Sequence, residues 1–180
     1  GNTKIGSSSN SRKGFDGNTE SKEAMNEKFM TRAIELSIKS VEKGTGPFGA
    51  CVVKDNKIIS EGFNTVTLPP FDVTSHAEIS AIRKACEKLN NFSLKGCELY
   101  TSCECCPMCM ASVYWSRIDK VYYVNTREDA KAINFDDSHI YEELKKNINE
   151  RKIPMIQIKT MKEQAIKAFE MWSKSGNTKY

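Results

Sequence analysis

The sequence predicts an α/β fold in which helices cover a partly parallel sheet, and three observations carry that expectation. Apolar residues recur at helical spacing early in the chain, a polar pair suited to a tight turn separates two β-prone runs, and strand-like and helix-like stretches then alternate. At 180 residues the chain is long enough for one sizeable core, so one domain with a tail is expected.

Residues 1–24 are rich in Ser, Asn, Gly and Lys with almost no apolar periodicity, which predicts a disordered leader ahead of a domain spanning 25–180. From 26 to about 43, Phe29, Met30, Ala33, Ile34, Ile38 and Val41 fall at helical spacing. The Gly44-Thr45-Gly46-Pro47-Phe48-Gly49 stretch breaks that helix. Residues 50–53 and 57–60 read as two strands of a hairpin around Asp55-Asn56. A loop holding Pro69-Pro70 follows, and a helix begins near His76, with Ser75 before it and Ile79, Ile82, Cys86 and Leu89 along it. Residues 97–101 read as a third strand entering a cysteine cluster, and the cluster opens a helix that ends near Ser116. Residues 121–124 read as a fourth strand, 153–158 as a fifth, and 163–173 as a last helix.

Chemistry concentrates in two segments, His76-Ala77-Glu78 and Cys105-Cys106-Pro107-Met108-Cys109. Cys106 and Cys109 are neighbours on a helix surface, about 60° apart in rotation, so both thiols can reach one ion. Pro107 suits the first helical position, which makes Cys106 the N-cap and sets both thiols at the positive end of the helix dipole. His76 and Glu78 differ by about 200° around a helix axis, so they share a pocket only beyond its tip. Imidazole and two thiolates form a zinc donor set that leaves the fourth position open to solvent, as catalytic sites require. The chain has two histidines; His139 stands outside this pattern and reads as structural.

Each assignment has a plainer rival. Glu78 could close a capping box with Ser75 and merely bond back to the helix start. Cys103 or Cys105 could complete a four-ligand shell, which would make the cluster a structural zinc module and not an enzyme.

Composition narrows the setting. Seven cysteines, four of them within 103–109, and no signal peptide favour metal chemistry in a reducing cytoplasmic compartment over a secreted disulfide framework. No apolar run approaches the length of a membrane span. The net charge of +4 is small and the lysines are interspersed with acids, which argues against nucleic acid as partner.

The segments Gly46-Pro47-Phe48-Gly49-Ala50, His76-Ala77-Glu78, Tyr100-Thr101-Ser102-Cys103-Glu104, Cys106-Pro107-Met108-Cys109, Tyr114-Trp115 and Phe135-Asp136-Asp137-Ser138 resemble those of guanine deaminases in the cytidine-deaminase superfamily. The resemblance runs from about Met25 to Tyr180 and implies a three-layer α-β-α cytidine-deaminase-like fold with a mixed five-stranded sheet flanked by helices. It also implies one zinc ion per subunit, hydrolysis of guanine to xanthine and ammonia, and a homodimer in which residues 161–180 cross over to close the neighbouring pocket. It assigns zinc to His76, Cys106 and Cys109, proton transfer to Glu78, purine contacts to Asn64, Asp137 and Tyr180, and the pocket lining to Phe48 and Trp115. Cys105 stands where such enzymes usually have proline, and its thiol is expected to point away from the metal. A tRNA adenosine deaminase, or another nucleobase or nucleoside deaminase, is the alternative with the same metal motif.

Overall fold

The computed structural model of the chain describes residues 17–180, with side chains from residue 22 onward. Residues 1–16 of the expected leader lie outside the described residues. Helix α1 (Gly17–Glu42) begins well before the predicted start at Asn26. Glu20, Lys22, Glu23 and Ala24 in that first stretch are good helix formers and sustain a helix without any apolar stripe to reveal it.

The face that α1 buries is Phe29, Ala33, Leu36 and Ser40. Ile34, Ile38 and Val41, grouped with that face by spacing alone, are exposed at 39%, 55% and 54%. Strands β1 (Gly49–Lys54) and β2 (Lys57–Phe63) pair antiparallel around Asp55 and Asn56, whose φ values of 50° and 59° are those of the turn that matches strand twist. Helix α2 (Ala77–Leu89), strand β3 (Cys97–Cys103), helix α3 (Pro107–Ser116) and strand β4 (Lys120–Asn125) follow. The sheet order is β2-β1-β3-β4, with β1 antiparallel to both neighbours and β3 parallel to β4.

Alternation along β1 sorts the core into two layers. Cys51 and Val53 face Phe29 and Ala33 of α1, joined by Tyr100. Ala50 and Val52 face the opposite way, toward Ala77, Ala81 and Ala85 of α2 and Cys109 and Val113 of α3. Two glycines let helices touch the sheet backbone. A Cβ on Gly49 would collide with the Ala33 carbonyl of α1, and one on Gly62 with the Ala77 carbonyl of α2.

The sheet is mixed, as expected, but has four strands and not five. Among the described residues, 153–158 pair with no strand, and Ile153, Ile156 and Ile158 are exposed at 83%, 82% and 70%. Their β-branched composition suits a strand, yet a strand exists only where an edge accepts it, and among the described residues this segment meets none. Helices α4 (Arg127–Ala132) and α5 (Ser138–Lys145), which spacing did not disclose, follow β4, and α6 (Lys162–Ser175) closes the chain. Helix α6 buries no residue and leaves Phe169 and Met171 exposed.

Candidate metal and substrate site

Two helix starts build the centre. His76 is the N-cap of α2 and Cys106 the N-cap of α3, with Pro107 in the first turn as the sequence requires. Because α3 starts where β3 ends, the site lies beyond the carboxyl end of that strand, where sheets of this class place their ligands.

His76 Nδ1 stands 3.6 Å from Cys106 Sγ and 3.5 Å from Cys109 Sγ. Tetrahedral zinc with ordinary bond lengths sets such nitrogen and sulfur atoms about 3.6 Å apart, so the donor set fits that ion in both chemistry and span. Among the described residues, His76, Cys106 and Cys109 are the one group of this kind whose ligand atoms all lie within 4.8 Å of one another. The protein already stabilises one thiolate within it. Hydrogen bonds from the Cys109 thiol and the His76 ring pull the Cys106 thiol down to about 4, and the same contact pushes Cys109 up.

Among the described residues no third sulfur joins the group. Cys105 is buried in the apolar core with residues of α2 and α3, its thiol set against the Glu78 carboxyl and outside the donor group, and Cys103 directs its Sγ to the Thr126 carbonyl at 3.8 Å. The structural module with Cys103 or Cys105 completing a four-ligand shell therefore finds no support among the described residues.

The capping-box role for Glu78 is not realised. The cap is His76, with no side-chain capping bond, and the Ser75 hydroxyl is engaged with Thr65 at 2.5 Å and Ser80 at 3.3 Å. Glu78 instead borders a cavity of about 510 Å³ that also reaches His76 and Cys106. It is 6% exposed, and burial raises its carboxyl above the usual carboxylate range.

Asn64, Phe48 and Asp137 open on the same cavity. The Asn64 side-chain oxygen accepts from Thr45 Oγ1 at 2.7 Å and from the Val66 N–H at 3.0 Å, which leaves the amide N–H₂ as the group available to a ligand. Phe48 meets Phe135 edge to face at 5.1 Å between ring centres. Asp137 occupies the N-cap of α5 but makes no capping bond. Asp136 takes over that duty, accepting from the Ser138 N–H at 2.9 Å and from its hydroxyl, so the Asp137 carboxylate stays with the cavity.

Trp115 and Tyr180 do not line the cavity within the chain. Trp115 sits near the far end of α3, about 12 Å along its axis from the first turn that carries the metal-facing residues. Tyr180 packs against Trp115 at 6.2 Å and Phe92 at 6.3 Å between ring centres, and both Trp115 and Tyr180 are mostly exposed. Arg127 and Ile140, which also line the cavity, escaped the sequence reading because they belong to α4 and α5, short helices with no buried residues to set a period.

A histidine and two cysteines at the starts of two helices, beside a buried uncoordinated glutamate, define the zinc-dependent class of hydrolytic deaminases. Residues 23–125 match the cytidine and deoxycytidylate deaminase zinc-binding region, and the chain belongs to that enzyme family. It is 47% identical to the guanine deaminase of Bacillus subtilis over 154 residues, which cover 85% of this chain and 97% of that one. The X-ray structure of guanine deaminase from the same organism superposes with a TM-score of 0.80 at 46% identity, covering 86% and 97% of the two chains. A tRNA-specific adenosine deaminase of Aquifex aeolicus is 43% identical over 97 residues, spanning 54% of this chain and 64% of that protein.

Proposed function

We propose that the chain is a zinc-dependent aminohydrolase that converts guanine and water to xanthine and ammonia. The observation that carries this reading is the convergence of His76 and Cys106 of the donor triad, Glu78, Asn64 and Asp137 on one cavity of about 510 Å³, a volume suited to a free purine. The similarity to a guanine deaminase along nearly its whole length supports the substrate, whereas the adenosine deaminase resembles only about half of this chain.

His76, Cys106 and Cys109 would hold the metal. Zinc bound there supplies the Lewis acidity that makes water nucleophilic at neutral pH. Glu78 takes the proton from the water that adds to C2 of guanine and delivers a proton to ring N3. It then takes the remaining proton from the hydroxyl added at C2 and passes it to the amino group, which departs as ammonia as the C2 carbonyl forms. One carboxyl serves both transfers, and its buried setting suits it to hold a proton between them. The Asn64 amide donates to the purine, and Asp137 accepts from its N–H edge. Adenine offers an acceptor at the corresponding edge and would face Asp137 unpaired. Phe48 packs against the ring.

Trp115 and Tyr180 complete the site in a homodimer. They lie side by side outside their own cavity, and the segment that ends in Tyr180 leaves Ile153, Ile156, Phe169 and Met171 exposed. Apolar surface of that extent suits a second copy, with residues 161–180 crossing to close the neighbour's pocket. The free cysteines suit a reducing cytoplasm, and no helix among the described residues is long and apolar enough to cross a membrane.

Ammonia release by the zinc-loaded protein from guanine, adenine, cytosine, cytidine and a tRNA anticodon stem-loop tests the reading. Guanine is the expected substrate; release from RNA alone would overturn it.

A further inference from the structure

We propose that Arg127 is a positioning residue for Asp137, clamping both ends of the segment that carries this carboxylate to the loop that carries the metal ligands. The inference rests on Asp137 as a purine contact.

The Asp137 side chain makes no capping bond into its own helix, because Asp136 holds the cap of α5. Its place at the cavity is therefore set by where the chain from β4 to α5 runs. Two residues fasten that stretch. Arg127 opens it, in the first turn of α4, and Tyr141 follows it, in α5. The Arg127 backbone N–H donates to Glu104 Oε1 at 3.2 Å, and its guanidinium Nε pairs with Glu104 Oε2 at 3.3 Å. The guanidinium plane lies 4.3 Å over the Tyr141 ring, and the Tyr141 hydroxyl donates to the Cys105 carbonyl at 3.0 Å.

Glu104 and Cys105 directly precede the ligand Cys106. One guanidinium thus joins the start of the stretch to its end, and both to the metal loop. Arginine alone supplies this combination, since it offers a planar face for the ring and an N–H edge for the carboxylate. Lysine keeps the charge but has neither the plane nor the fork. Arg127 itself borders the cavity beside Asp137, so loosening it shifts the wall that meets the purine while leaving Glu78 and the triad, on α2 and α3, in place.

The test is a double-mutant cycle on the zinc-loaded enzyme, with metal content and thermal midpoint checked for each variant. Arg127→Met is expected to raise KM for guanine about tenfold with kcat held within about threefold, the signature of lost substrate positioning. Tyr141→Phe, which keeps the ring and removes the bond to the Cys105 carbonyl, should shift KM the same way by about threefold and serves if Arg127→Met folds poorly. In an Asp137→Asn background, Arg127→Met should add less than about twofold, because the residue it positions is already changed. Independent, multiplying effects overturn the clamp, as does an unchanged KM in Arg127→Met and Tyr141→Phe alongside a raised KM in Asp137→Asn. An unchanged KM in Asp137→Asn overturns it differently, by showing that Asp137 does not contact the purine.

Discussion

Cys106 Sγ lies 3.6 Å from His76 Nδ1 although 30 residues separate them, because each residue caps a different helix and the two helix starts face one another. The arrangement places a thiol at the positive end of a helix dipole and leaves Glu78, in the first turn of α2, buried beside the donors without joining them. In the proposed mechanism, metal binding and proton transfer are thereby divided between residues two positions apart.

Glu78→Gln is expected to retain zinc and the fold while kcat for guanine falls by about a thousandfold, within the range that a general acid-base group contributes. Metal analysis with steady-state kinetics checks this. A variant that turns over at the wild-type rate would remove Glu78 from the proton path.

Gly62→Ala should be among the most damaging conservative changes in the chain. Its Cβ would strike the Ala77 carbonyl and come within 2.7 Å of the Ala81 nitrogen, all of it backbone that cannot swing aside. A loss of about 3 kcal/mol or more is expected, read from denaturant unfolding, with zinc affinity falling as His76 moves with α2.

Asn64→Asp keeps the oxygen that accepts from Thr45 and Val66 but replaces the cavity-facing donor with an acceptor. KM for guanine should rise at least about tenfold, because a purine acceptor would then meet an oxygen. The thermal midpoint should change far less than in Gly62→Ala.

Deleting Tyr180 should lower kcat/KM for guanine and change the thermal midpoint little, since this residue is mostly exposed and its ring meets Phe92 and Trp115 near the surface. Mixing that protein with Glu78→Gln should raise turnover above the sum of the two alone after subunit exchange, because one site of the proposed mixed dimer then receives both an intact glutamate and an intact tail. Absence of any recovery would mean that the tail does not act across subunits.

Burial at Cys51 pushes its thiol up to about 12, so it should resist alkylation in the native protein at pH 8 and react only on unfolding. The fold thus favours the neutral thiol, and the stability it lends is fully present below the unfolded thiol pKa and lost as pH rises toward 12. Mass spectrometry of iodoacetamide-treated protein reads the labelling.

What the sequence disclosed was local chemistry with one solution. Asp55 and Asn56 accept positive φ, and Pro107 after Cys106 marks a helix start, so the hairpin and the metal-bearing cap were legible without tertiary information. The side of α1 that faces the sheet was not. Ile34 and Ile38 are as apolar as Phe29 and Leu36, and only the position of β1 decides which pair is covered. Helix α4 left one readable trace, the reciprocal bonds of Thr126 and Asp129 in a capping box, and Arg127 inside it had no pattern to announce a place at the cavity. Residues 153–158 carry strand composition but lack a pairing edge among the described residues, and Trp115 and Tyr180 lie outside the lining of the cavity. Both departures concern surface that the second subunit of the proposed dimer would cover.

X-ray absorption spectroscopy of the fully reduced zinc protein is the most direct measurement of the proposed centre. Two sulfur neighbours with two nitrogen or oxygen neighbours are expected, from Cys106, Cys109, His76 and solvent. Three or four sulfurs, with Cys103 or Cys105 drawn in, would contradict an open hydrolytic site.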